Sequence, residues 1–229
     1  MAERMTPEDI LRQEKLNTGT SVTKNNKFEQ DGYLALEQIW DPSELVRDIP
    51  EKRGQYDYWG KNLEQCNFTP IENQVEGSIA SYWHPQYRSI HTGIRRKLEK
   101  IIGCKLYNTY YYDRFYFPGQ ELKIHADRPA CEISISVHIA SNIEGKWPLW
   151  IKTPNGERHS IALRPGDGML YKGCERPHWR DPLPREYTKT WYGKKVEKEG
   201  LFYHQIFFHY VLADGLRSHF ANDLLKGQL

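Results

Sequence analysis

Nine histidines are spread along the 229 residues, and two of them belong to a pattern that chemistry can use. His125-Ala126-Asp127 follows a strand-like segment, and His178 lies 51 residues beyond Asp127. Residues two apart on extended backbone project from the same face, so His125 and Asp127 can meet a single ion. A distant histidine on an opposing sheet can close the set. Two imidazoles and one carboxylate take one face of an octahedral metal and leave three adjacent positions open to reactants. Zinc accepts the same ligand types, but no His-Glu-x-x-His motif supplies the general base of a zinc hydrolase. A lone His-x-Asp triplet arises readily by chance, so its weight rests on the surroundings. His84, His91, His159 and His219 read as surface or structural residues, and mid-strand His138 as a packing residue.

The surroundings do carry weight. Tyr116-Phe117-Pro118-Gly119-Gln120 leads into His125-Ala126-Asp127, and Leu163-Arg164-Pro165-Gly166-Asp167-Gly168-Met169-Leu170-Tyr171 precedes His178. Together with the opening Phe28…Asp31-Gly32-Tyr33-Leu34…Pro42…Leu45, this order and spacing resembles the prolyl-4-hydroxylase-like branch of the Fe(II)/2-oxoglutarate oxygenases, from residue 28 to about residue 215. The resemblance implies that His125, Asp127 and His178 bind Fe(II), with 2-oxoglutarate and O2 as co-substrates. It implies a dioxygenase that hydroxylates a C–H bond and releases succinate and CO2. A prolyl or other peptidyl substrate is the leading expectation and a free small metabolite the alternative. A non-catalytic metal-containing jelly-roll binding module is the rival from another class. Tyr116 matches a family tyrosine that bonds the co-substrate carboxylate.

The distal carboxylate of 2-oxoglutarate needs a cation, ideally the fork of an arginine. Counting ten positions from His178, as the family does, reaches Thr188 and Lys189, ahead of the last convincing strand at about Phe202; an inserted loop, 186–200, breaks the pattern. Arg180 shares the strand face of His178 and is the preferred anchor, with Arg114, on the side of Tyr116, as runner-up. On the final strand Gln205, Phe207 and His209 share one face, expected to line the pocket. Gly193 and Gly200 make the inserted loop a candidate lid.

These residues need a frame that places two strands opposite each other. Ile90, Ile94, Leu98, Ile101 and Ile102 recur at helical spacing before Gly103, predicting an amphipathic helix over Tyr87–Ile102. Asp41-Pro42 reads as another helix start. Tyr33–Leu36, Leu106–Phe117, Glu132–Ala140, Trp147–Lys152, Ser160–Leu163, Gly168–Tyr171 and Phe202–Leu212 read as strands separated by turn residues. The fold expected is mainly β with flanking helices, a double-stranded β-helix (jelly roll, cupin-like). Residues 1–27 are a polar lead-in with a short helix near Pro7–Leu16, 28–229 a single domain, and 49–82 rich in loops.

Composition narrows the classes. Thirty aromatics exclude a disordered chain, and no apolar run reaches the ~18 residues of a membrane span. A formal net charge of +2, from 32 basic and 30 acidic residues, lacks the basic field of a nucleic-acid binder. Cys66, Cys104, Cys131 and Cys174 show no CxxC spacing, and the N-terminus has no signal-peptide core, which fits a reducing cytoplasm. The expected partner is a peptide or a small molecule, with no membrane and no nucleic acid.

Overall fold

The computed structural model describes residues 22–51, 54–56, 60–61 and 74–222. The helix expected near Pro7–Leu16 and much of the loop-rich stretch lie outside them. Helix α1 (Asn26–Asp31) is capped by Asn25, whose side-chain oxygen accepts from the Phe28 N–H at 2.9 Å. It straddles the expected domain start at residue 28. Asp41 caps as its sequence suggests, accepting from Ser43 N–H, but only a single 3-10 turn follows. Helix α2 (Arg88–Ile102) buries Ile90, His91, Ile94, Leu98 and Ile102 and stops at Gly103, whose φ of 69° suits the left-handed cap.

The strands are β1 (Tyr33–Leu36), β2 (Gly54–Gln55), β3 (Ile79–Tyr82), β4 (Leu106–Tyr116), β5 (Leu122–His125) and β6 (Ile133–Ser141). Then come β7 (Leu149–Lys152), β8 (Arg158–Ile161), β9 (Gly168–Tyr171), β10 (His178–Arg180), β11 (Tyr187–Lys189), β12 (Lys195–Glu197) and β13 (Tyr203–Leu212). A seven-stranded sheet runs β1-β9-β6-β13-β4-β3-β2, a four-stranded sheet β5-β10-β7-β8, and β11-β12 form a separate hairpin. This is the expected two-sheet jelly roll with helices on one side.

Both faces of the large sheet are buried, for different reasons. Ile133, Ile135, Val137 and Ile139 of β6, with Ile206, Phe208 and Tyr210 of β13, pack against Ile90, Ile94, Leu98 and Ile102 of α2. The opposite face of β6, carrying Ser134, Ser136 and His138, is also buried and looks into the barrel. Between the sheets, Tyr110, Tyr112, Tyr116, Trp147, Tyr203 and Phe207 form a second, aromatic core. Polar groups are thus enclosed on the inner face, where each must find a partner or a ligand.

Candidate metal centre and anion pocket

The closing histidine comes from the same sheet and not from the opposing one as expected: the paired neighbours β5 and β10 set His125 directly opposite His178, with ring centroids 4.4 Å apart. Asp127 follows β5, and its N–H donates to the Gly173 carbonyl at 2.9 Å. One donor atom each from His125, Asp127 and His178 lie within 4.8 Å of one another. Asp127 Oδ1 stands 3.4 Å from His125 Nε2 and 3.6 Å from His178 Nε2. Each imidazole donates its Nδ1–H to the carbonyl two residues before it, His125 to Lys123 at 2.8 Å and His178 to Arg176 at 2.9 Å. Those bonds leave both Nε2 lone pairs aimed at the shared point, the way metal-ligating histidines are held. The Asp127 carboxyl is pushed up by burial, but the histidines around it outweigh that and hold it below the usual carboxylate range. Burial pulls His178 down, favouring the neutral imidazole that a metal requires.

Arg180 lies two residues beyond His178 on the same face of β10, about 7 Å along the strand. Arg180 is 1% exposed, and its guanidinium sits over the Trp147 and Tyr203 rings at 4.4 and 4.8 Å and donates to the Trp147 carbonyl. It also donates to Gln205 Oε1 at 2.6 Å. No carboxylate lies within ion-pair distance of it among the described residues. A buried cation left without an anion is costly, which points to an anionic ligand. Four buried nitrogens on the inward faces lack a hydrogen-bond partner: Arg180 Nε, Gln205 Nε2, His138 Nε2 and His209 Nε2. The Arg180 Nε–H and Gln205 Nε2–H donors, one fixed positive charge and a metal-type donor set one strand step away fit a short dicarboxylate that chelates an ion at its other end, while neutral His138, whose Nδ1–H donates to the Leu163 carbonyl, presents an Nε2 lone pair. Arg114 and Tyr116 form a second polar pair on β4, with Arg114 Nη1 3.4 Å from the Tyr116 hydroxyl, both side chains buried.

The seven residues singled out from sequence therefore converge between the two sheets. The Gln205/Phe207/His209 face of β13 does point inward, while His204 points outward to Asp113 at 2.7 Å. Lys189 is exposed on the β11-β12 hairpin. That hairpin leaves from the end of β10 remote from His178, where Leu183 exchanges backbone bonds with Gly119 and Gln120. Trp147, Tyr203 and Ser134 were not anticipated. The signal for Ser134 was the Ser-Ile-Ser-Val-His alternation of β6, whose polar face meets the site instead of water.

No family model matches the chain, and no curated protein matches it in sequence. In fold it is similar to a Trichoplax adhaerens prolyl hydroxylase solved with a hypoxia inducible factor oxygen degradation domain peptide fragment, at TM-score 0.53 and 12% identity over 90% of this chain and 94% of that one. It is also similar to SnoN, a non-heme alpha ketoglutarate dependent epimerase of nogalamycin biosynthesis, at TM-score 0.51 and 10% identity over 89% and 84%. The chain has the double-stranded β-helix fold that these 2-oxoglutarate enzymes share. Among the described residues no helix is long and apolar enough to cross a membrane.

Proposed function

We propose that the protein is an Fe(II)- and 2-oxoglutarate-dependent dioxygenase that hydroxylates a C–H bond of a peptidyl substrate. The observation that carries this reading is the pairing, on one strand, of a metal-type donor (His178) with a buried, carboxylate-free arginine (Arg180). His125, Asp127 and His178 would hold the iron, and Arg180 with Gln205 the far carboxylate of 2-oxoglutarate; Arg114 and Tyr116 are the alternative polar wall. Bound there, iron and 2-oxoglutarate supply oxidising power from O2 while succinate and CO2 are released. The protein's own part is to orient the ligands through backbone carbonyls, neutralise the co-substrate charge, and exclude water with the Tyr116, Trp147 and Tyr203 rings.

A peptidyl substrate is supported by the resemblance of the Tyr116–Asp127 run to the prolyl-4-hydroxylase-like branch and by the fold neighbour solved with a peptide fragment. The rings of Tyr82, Tyr110 and Tyr112 lie near-parallel, at centroid distances of 4.8 to 6.4 Å, with Arg128 over Tyr110 at 4.5 Å. His209 and Arg128 cover Tyr110 and Phe207 covers Tyr112, so this stack is a packed support behind the site. The experiment is succinate release from 2-oxoglutarate with Fe(II), compared across prolyl peptides, free amino acids and methylated bases. Stimulation by peptides is expected. Stimulation by methylated bases or free amino acids alone contradicts the substrate class, and no turnover with any of them contradicts the reaction.

A further inference from the structure

Ser134 stands between the metal-type cluster and a buried histidine outside it. Its Oγ is 2.9 Å from His209 Nδ1, 3.4 Å from Asp127 Oδ2 and 3.1 Å from the Cys131 carbonyl. Asp127, Cys131 and His209 also bring donor atoms within 4.8 Å of one another. The Ser134 hydroxyl bonds into this second cluster, and the Cys131 thiol lies 3.1 Å from the Tyr110 hydroxyl, so the cluster reads as a packed support and not as another ion site.

Two features show that His209 is placed and not merely packed. The ladder between β13 and β4 shifts register between Phe208 and Tyr210, with Tyr110 and Thr109 of β4 bulged opposite His209, while His209 itself keeps regular pairing with Ser134 of β6. Its carbonyl is fixed by His91 Nε2 at 3.1 Å, and its ring by Tyr110 at 4.5 Å. Oδ1 of Asp127 faces the two imidazoles while Oδ2 faces Ser134.

The geometry points to a relay in which His209 Nδ1–H donates to Ser134 Oγ and the Ser134 hydroxyl donates to Asp127 Oδ2, turning Oδ1 toward the metal. Ser134 and His209 are on this account positioning residues for the ligand carboxylate. The charge of the carboxylate makes it a better acceptor for the serine proton than the Cys131 carbonyl. The inference rests on the metal reading of the site but goes beyond its three ligands.

The test is Mn(II) binding to metal-free protein, followed by the electron paramagnetic resonance of free Mn(II), with thermal midpoints recorded alongside. The parent is expected to bind one ion, lost in His125→Ala; a parent with no His125-dependent binding would overturn the metal centre itself and the relay with it. Ser134→Ala and His209→Phe are each expected to weaken Mn(II) about 10- to 100-fold, the usual range for partners behind a ligand. Removing both should cost no more than the worse single change. His209→Asn, whose amide can replace Nδ1–H, should recover most of the affinity. Parent-like affinity in Ser134→Ala and His209→Phe, or equal loss in His209→Asn and His209→Phe, overturns the relay. If His209→Phe does not fold, Ser134→Ala against Ser134→Thr decides by the same criterion, with Thr expected to recover the affinity and equal loss in both overturning the relay.

Discussion

Gly173 leaves room for Asp127 and nothing more: a Cβ on Gly173 would stand 2.6 Å from Asp127 Oδ2 and from Ser134 Oγ, and would strike the Cys131 carbonyl. The constraint is space, because the Gly173 carbonyl also accepts the Asp127 N–H and cannot retreat without moving Asp127. Gly173→Ala should therefore destabilise by about 1–3 kcal/mol, the range for overpacking a close-packed site, and weaken metal binding further than the stability loss explains. Urea unfolding and Mn(II) titration check this; parent-like values in both contradict it.

Arg180 is expected to trade stability for ligand binding. Replacing a desolvated cation that has no anionic partner with an apolar chain of similar length is often neutral or stabilising. Arg180→Met should leave the thermal midpoint of the ligand-free protein unchanged or higher, while abolishing the upward shift that saturating 2-oxoglutarate gives the parent. Arg180→Lys should restore little, since an ammonium cannot reproduce the fork bonded to Trp147 and Gln205. Retention of the 2-oxoglutarate shift in Arg180→Met moves the anchor to Arg114.

Buried neutral histidines set an acid limit. Burial lowers His91 to about 3 and His138 to about 4, from an ordinary 6.5. In the unfolded chain both take a proton near pH 6.5, whereas the fold resists until about pH 4 or below. Across that interval the unfolded state binds more protons, so stability falls as pH drops from about 6.5 toward 4. Thermal midpoints of metal-free protein should decline from pH 7 to pH 5, with a shallower slope in His91→Phe. An unchanged slope in that variant removes His91 from the explanation.

The β11-β12 hairpin is expected to be separable from the chemistry. Trp191 at its tip is 96% exposed, and Thr190 and Gly193 close the turn, with Gly193 at a φ of 86°. Trp191→Ser should change stability by no more than about 0.5 kcal/mol and leave 2-oxoglutarate affinity unaltered. A loss of affinity in this variant would instead favour the lid expected from the sequence.

Local pattern made some of this legible and distance hid the rest. The apolar spacing of α2 and its Gly103 stop located the helix to within a residue, since one buried stripe decides both. Gly168–Tyr171 was located just as well. Strand β8 came out as Arg158–Ile161 where Ser160–Leu163 was expected, because pairing with β7 from Lys152↔Arg158 outward sets its extent and frees Leu163 to bind His138 through its carbonyl. Alternation in β6 correctly told a strand, but period two cannot say whether the polar face meets water or a pocket. Arg180 was legible from its step beyond His178. Its Trp147 and Tyr203 cradle was not, since those rings come from strands and loops that only the closed barrel brings together.

On the proposed reading, one site binds Fe(II) through His125, Asp127 and His178 and 2-oxoglutarate through the same ion. Anaerobic addition of Fe(II) and 2-oxoglutarate to the protein tests it most directly, because their chelate gives a weak visible metal-to-ligand charge-transfer band that neither gives alone. A band in the parent, absent in His125→Ala and in Asp127→Ala and needing far more 2-oxoglutarate in Arg180→Met, is the predicted result. No band in the folded parent, or a band of equal strength in His125→Ala, contradicts the account.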